Sequence, residues 1–403
     1  QDFDLDQFYS SSKPHSSFYH SSRDRIDSLY QAYLKEHNVT EDNGAYEQFI
    51  YEYNFFLEKL NKSGKVFSGD ELTAYLNRLK DEILEGHPKK DQIRVYLTNF
   101  DQLNAFTNDF GNVYVNVATV AKIDSEMKLK VILAHEISHV LMRHSFKMAN
   151  RDNHFSNEKF EKINQISDFD SHKFSQMQEL EADSVAYELL KKLGYNISNL
   201  EGLFDDLEKS RNPVFSDKVY LSELAISEST THIDFLNELH DIVSVEDLFS
   251  EIEHDDSLST HPSAEARKQL YLRLKNDSIS ADSKNADFDQ YRLLAANVLV
   301  RTYLTEQKYI EGLYLVAQLR KRFPNNQDLL KQYLKLQLLI TQSKYMFNES
   351  AVLNKYGSSC SDSIFMMFRS GVLSIPALEM NIICQKNIDL SLIHISEPTR
   401  RPI

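Results

Sequence analysis

The chain has 403 residues, 41% of them hydrophobic, and a formal charge of −15 from 60 acids against 45 bases. That length suits two domains with one small further element, and the acidic balance argues against nucleic acid as the main partner. Nowhere does the sequence reach the roughly 18 to 20 uninterrupted apolar residues that a membrane span requires, and two cysteines, Cys360 and Cys384, are too few for a disulfide framework.

Residues 1–23, with Ser10, Ser11, Ser12, Ser16, Ser17, Ser21 and Ser22 among them, read as a flexible leader. The chain opens on Gln1 with no signal-like apolar run, which fits a processed secretory protein and would fit a gene fragment equally. Helical periodicity follows over 25–60 and again over 70–84, the second stretch stopped by Gly86. Short strands are predicted at 93–98 and 113–117.

The next element is a helix with clear start signals: Asp124 or Ser125 as its cap and Glu126 in its first turn. Val131, Ile132, Leu133, Ala134, Ile137, Val140 and Leu141 make it apolar on most sides, so it belongs in a core. Inside it stands His135-Glu136-Ile137-Ser138-His139. Four residues advance an α-helix by slightly more than one turn, so the two imidazoles leave the same face and can reach one tetrahedral metal ion. Glu136 then lies beside the position the ion leaves open, where zinc hydrolases use a glutamate as general base and later as general acid.

Such a pair needs a third ligand. The metzincin layout wants Gly three residues and His six residues after the second histidine, but Met142 and Ser145 stand there, so that layout is excluded. His144 lies five residues after His139, about 140° around a continued helix, and reads as a packed or solvent histidine. A polar stretch over 145–172 contains His154 and His172, both read as exposed loop histidines. An insertion of this kind beside a cleft can gate or read substrate. Glu179-Leu180-Glu181-Ala182-Asp183 then supplies the pattern ExxxD on a second helix. Glu179 and Asp183 share one face, Glu179 to bind one Zn²⁺ per chain and Asp183 to accept a hydrogen bond from the far nitrogen of a ligand histidine and fix its tautomer. Glu181 competes for the ligand role but has Val185, not a carboxylate, four residues on.

Residues 205–258 are acidic and mixed, with no readable role. Pro262 opens a helix continued by Ala264, Ala266, Leu270, Leu272 and Leu274, with Thr260 or His261 as its cap. From about residue 287 the pattern becomes paired amphipathic helices over 293–304, 310–323 and 329–340. Thr305-Glu306-Gln307-Lys308-Tyr309 recurs as Thr341-Gln342-Ser343-Lys344-Tyr345, thirty-six residues later, close to the tetratricopeptide period of about 34. Repeats of that kind stack into a concave surface for protein partners; an ordinary helical hairpin packed on the first domain is the other reading. Residues 390–403 read as translated sequencing-adapter sequence, which puts the end of the authentic chain near Asp389.

HEISH and ELEAD do not stand alone. Asn104-Ala105-Phe106, Gly111-Asn112-Val113-Tyr114-Val115-Asn116, Ala186-Tyr187-Glu188-Leu189-Leu190 with Gly194-Tyr195, and Thr260-His261-Pro262 with Arg267 complete a pattern running from about residue 94 to 267. It resembles the gluzincin peptidases that include the CAAX prenyl proteases, HtpX and BepA. The resemblance implies a zinc metalloendopeptidase with His135, His139 and Glu179 as ligands, Glu136 as catalytic residue and Asp183 behind the ligands. It implies that Asn104 and Ala105 border the cleft, where an extended substrate adds as a strand. In some relatives the His-Pro histidine, here His261, lies over the zinc, either filling the fourth position at rest or supporting the oxyanion. Arg267 either stabilises developing negative charge or pairs with an acid.

The expected fold is mainly α (α+β). A gluzincin-type domain with a small sheet occupies 24–280, and tetratricopeptide-like helical hairpins occupy 287–389, truncated by the adapter. The BepA-like branch, without membrane spans, is the nearer one. It implies a periplasmic or secreted protein acting on unfolded or misfolded envelope proteins, with the helical region available to a protein partner. The alternative is a helical-repeat chaperone or assembly factor whose zinc site His261 keeps shut.

Overall fold

The computed structural model describes residues 59–60, 62–107, 111–144, 166–194, 201–208, 212–224, 286–346 and 362–396, with Phe8, Lys35, Arg267 and Cys360 as single positions. Most of the helix predicted over 25–60, the stretch 145–165, and the His-Pro segment with His261 lie outside the described residues. The described chain is mainly helical with one four-stranded mixed sheet. It divides into two compact units, one formed by 3–210 and 254–295, the other by 211–253 and 296–403 together with Gln1–Asp2.

In the first unit, β1 (Val66–Phe67), β2 (Arg94–Thr98), β3 (Ala105–Thr107) and β4 (Asn112–Asn116) form a sheet in the order β1-β2-β4-β3. β2 and β4 run parallel, from Arg94 opposite Asn112 to Thr98 opposite Asn116, and both outer strands are antiparallel to their neighbours. Val95, Leu97, Val113 and Val115 are fully buried, as expected of central strands covered on both faces. β2 and β4 match the strands predicted at 93–98 and 113–117 to within a residue. β1 and β3, of two and three residues, are too short to leave an alternation in the sequence.

Helix α1 (Glu71–Ile83) starts at Asp70, whose carboxylate accepts from the Thr73 amide at 2.8 Å. Leu72, Tyr75, Leu76, Leu79 and Ile83 recur at helical spacing and form its buried face against β2. Asn77 fastens it there, donating to the Val95 carbonyl at 2.7 Å and accepting from the Val95 amide at 3.1 Å. After β4 come α2 (Val117–Lys122) and α3 (Glu126–Met142). Of the two caps the sequence offers for α3, Ser125 is used, its side chain accepting from the Lys128 amide at 3.2 Å. Leu129, Val131, Leu133, Ala134, Ile137 and Val140 bury α3 on nearly all sides. Its main neighbour is α4 (Ile166–Lys192), and Lys128 ties α5 (Glu201–Glu208) to it through Asp206 at 2.8 Å.

α6 (Ala286–Thr305) begins in the first unit, where Tyr291 stacks on Tyr75 and Arg292 donates from Nε to the Ala121 carbonyl at 3.0 Å. The second unit takes in α6 from Ala296 onward, then α7 (Tyr309–Arg322), α8 (Gln327–Tyr345), α9 (Ser363–Ser374) and α10 (Ala377–Ser396). α8 packs on both α7 and α10. The two pentapeptides are not in equivalent places: 305–309 makes the turn between α6 and α7, whereas 341–345 is the last turn of α8. The segment 212–224 also belongs to this unit and is held by side chains of α7, α8 and α10. Gln318 donates to the carbonyls of Phe215 and Asp217 at 2.7 Å each, Tyr333 to Glu223 at 2.8 Å, and Gln337 and Asn387 both to Leu224 at 2.8 and 2.7 Å.

Candidate metal centre

One turn of α3 separates His135 from His139, and α4 lies alongside so that Glu179 meets both. The Nε2 atoms of the two imidazoles are 3.1 Å apart, and each is 3.3 Å from a carboxylate oxygen of Glu179. Among the described residues this is the group of three able to share a metal ion, its ligand atoms all within 4.8 Å of one another. Two imidazole nitrogens and one carboxylate oxygen, with a cavity on the remaining side, are the donor set of a hydrolytic zinc site. His135 and Glu179 are buried and His139 is partly so.

Around the trio lies a cavity of about 290 Å³ bordered by Asn104–Thr107 on one side, by Val131, Ile132 and Glu136 of α3, and by Leu203, Leu207 and Arg267. Glu136, one residue past His135, lines this cavity and is itself buried. β3, an edge strand, carries Ala105 at its start, and Asn104 and Ala105 both line the cavity. Asn104 is fixed by Thr119, whose hydroxyl accepts from its amide at 2.8 Å and donates to its carbonyl at 2.6 Å.

Behind His135, Asp183 sits fully buried with Oδ1 2.8 Å from Nδ1. Arg267 grips the same carboxylate with two nitrogens, Nε to Oδ2 at 2.8 Å and Nη2 to Oδ1 at 2.7 Å, while its guanidinium lies over the Phe204 ring. Of the two roles open to Arg267 in the sequence, the geometry gives it the acid, although the side chain also borders the cavity. Burial alone would raise the Asp183 carboxyl, but the His135 charge and hydrogen bond, with those of Arg267, hold it below its ordinary value. Burial and the nearby Arg267 charge push His135 down. The Asp183 charge and the hydrogen bonds that Asp183 and Glu179 accept from the ring outweigh them and push it up to about 9.

His144 is packed and lies outside the metal trio, as one of its two sequence readings has it, but not where a continued helix would carry it. Continuing the helix past His139 carries it away from the site, but α3 ends at Met142 and Arg143 adopts a left-handed conformation (φ 56°, ψ 48°). That reversal brings His144 back against His139, buried, with the two Nδ1 atoms 2.8 Å apart and its Nε2 3.0 Å from Glu181. No stop signal such as glycine marks position 143, so the turn could not be read from the sequence. Glu181, weighed as a competing ligand, stands on His144 and outside the metal trio. His261 lies outside the described residues.

The profile of Peptidase family M48 matches residues 70–271, half of the chain. The chain is 35% identical over 92 residues to a beta-barrel assembly-enhancing protease of Yersinia pestis, a stretch covering 23% of this chain and 19% of that protein. It is 33% identical over 92 residues to the protein of the same name in Escherichia coli strain K12, with the same shares covered. The match thus spans about a fifth of the length of these relatives.

Proposed function

The chain belongs to peptidase family M48 and is a zinc metallopeptidase, and on that premise we propose that it cuts internal peptide bonds of unfolded or misfolded polypeptides in the bacterial envelope. The observation that carries this reading is the convergence of His135, His139 and Glu179 on one point of a cavity that an edge strand helps to line. His135, His139 and Glu179 would hold the metal. When bound, zinc supplies Lewis acidity toward the scissile carbonyl and makes water a nucleophile near neutral pH.

The protein's own groups do the rest. An extended substrate adds along the outer edge of β3, its main chain pairing with the strand and fixing which carbonyl reaches the trio. Asn104 and Ala105, at the start of that edge, set where the pairing begins. Glu136 takes a proton from the attacking water and passes it to the departing nitrogen, so that the amine leaves neutral. Asp183, held by Arg267, keeps the proton of His135 on Nδ1 and turns Nε2 toward the metal. The walls supplied by Val131, Ile132, Leu203 and Leu207 favour apolar side chains beside the cut.

The envelope assignment draws on the beta-barrel assembly named for the relatives and on the absence, among the described residues, of a helix long and apolar enough to cross a membrane. Polypeptide substrates follow from a peptidase, and the helical second unit offers a surface that can hold them. The decisive experiment is casein digestion by wild type and Glu136→Gln, each with its zinc content verified. Loss of a general base lowers turnover by about 10²- to 10⁴-fold, so the variant should be nearly inert with its zinc retained. Equal inactivity of both proteins, with client binding retained, would instead favour a chaperone or assembly factor whose site stays shut.

A further inference from the structure

Each ligand imidazole has a second nitrogen that points away from the metal, and what that nitrogen meets decides which tautomer the ring adopts. For His135 the answer is the Asp183–Arg267 pair described above. For His139 it is another histidine: Nδ1 of His139 and Nδ1 of His144 are 2.8 Å apart, the rings crossing at 78°, and Nε2 of His144 is 3.0 Å from Glu181 Oε2. His144 is 3% exposed, and its carbonyl accepts from Gln178 Nε2 at 3.0 Å, which ties the turn after α3 to α4 one residue before Glu179.

We propose that His144 is a positioning residue for the metal, acting through a His139–His144–Glu181 chain that fixes the tautomer and ring angle of His139. With Nε2 of His139 given to a metal, Nδ1 must carry the ring proton. His144 then accepts that proton's hydrogen bond at its own Nδ1, which obliges His144 to be neutral and to carry its proton on Nε2. Glu181 accepts from that Nε2. Each group has one role, and no hydrogen bond in the chain meets two donors or two acceptors. The left-handed Arg143 is what makes the arrangement possible. A non-glycine residue in that conformation is disfavoured because its Cβ crowds the following carbonyl oxygen, and the turn is retained between the ligand helix and a buried ring contact.

The proposal rests on zinc being held by His135, His139 and Glu179, and its tests separate the two. Zinc affinity is measured by competition with a chromophoric chelator on wild type, His144→Leu, His144→Gln and Glu181→Ala. Glutamine can accept from His139 through its oxygen and donate to Glu181 through its nitrogen, whereas leucine can do neither. His144→Leu should bind zinc about 10- to 100-fold more weakly, the range for losing the group behind a metal ligand. His144→Gln should recover most of that loss, and Glu181→Ala should lose less than His144→Leu. Zinc binding unchanged in His144→Leu, or weakened equally in the leucine and glutamine variants, would overturn the assignment. Should the leucine variant not fold, nitrogen-15 NMR of histidine-labelled, zinc-loaded wild type decides: a proton on His144 Nε2 supports the chain and a proton on its Nδ1 overturns it. A wild type that takes up no zinc would sink the metal site itself, not the role of His144.

Discussion

The two units bury polar side chains in opposite ways. In the first, four ionisable groups on and beside α3 and α4 are buried close together: His135, Glu179, Asp183 and His144 are all under a tenth exposed. In the second, neutral amides are among the most deeply buried, Gln318, Gln337 and Asn387, and they face main-chain carbonyls of 212–224. Burying a carboxylate costs several kcal/mol unless charge and hydrogen bonds compensate it, so the two imidazoles and one carboxylate of His135, His139 and Glu179, converging on one cavity, call for a cation. An amide on a carbonyl needs no such compensation, because donor and acceptor satisfy each other. The first arrangement marks a place built for chemistry and the second a place built for holding chain.

The sharpest way to break this contrast is to remove a metal ligand. Glu179→Ala should weaken zinc binding by more than the about 10- to 100-fold expected for a residue that only supports a ligand, while circular dichroism of the helices stays near wild type. Zinc bound as tightly as in wild type would mean that the trio is an ordinary buried cluster.

On the other side of the comparison, Gln318→Leu takes the donor from both Phe215 and Asp217. Leaving a buried acceptor unsatisfied costs about 1–3 kcal/mol, so urea unfolding should show a loss of that size with zinc affinity unchanged. A loss of zinc affinity would show that the amide grip serves the metal site as well.

A third effect is in the pH dependence of the metal-free protein. His135 is pushed up to about 9 in the folded chain, above the value of about 6.5 that an unfolded histidine has. A raised folded pKa contributes stability that is fully present below about 6.5 and disappears as pH rises through about 9. The melting temperature without zinc should therefore fall over that window. In Asp183→Asn, which lacks the main charge holding the proton, the fall should flatten. Because the same proton competes with metal for the ring, zinc affinity should rise across the same window, and a flat profile would contradict the assigned partner of His135.

Local signals carried much of this architecture. The spacing of His135 and His139, the ExxxD of α4 and the apolar wrap of α3 were all readable, because helical geometry is regular enough to convert spacing into direction. Strands β2 and β4 were readable because they are apolar runs between turn residues. What escaped the sequence depends on one backbone angle or on contacts far along the chain. His144 could not be placed without knowing that Arg143 turns left-handed. Arg267 could not be assigned to Asp183 across 84 residues of chain. Likewise nothing in the acidic composition of 205–258 announces that 212–224 lies in the grip of helices about a hundred residues later, since amide side chains recognise carbonyls that every residue possesses.

That last fact sets a rule for how the second unit can change. Because Gln318, Tyr333, Gln337 and Asn387 seize peptide oxygens and ignore the identity of the residues bearing them, the outward side chains of 212–224, Ser216 and Lys218 included, are at liberty to drift. A nick introduced within this stretch should leave both pieces clasped, so that they elute together from a sizing column until denaturant parts them.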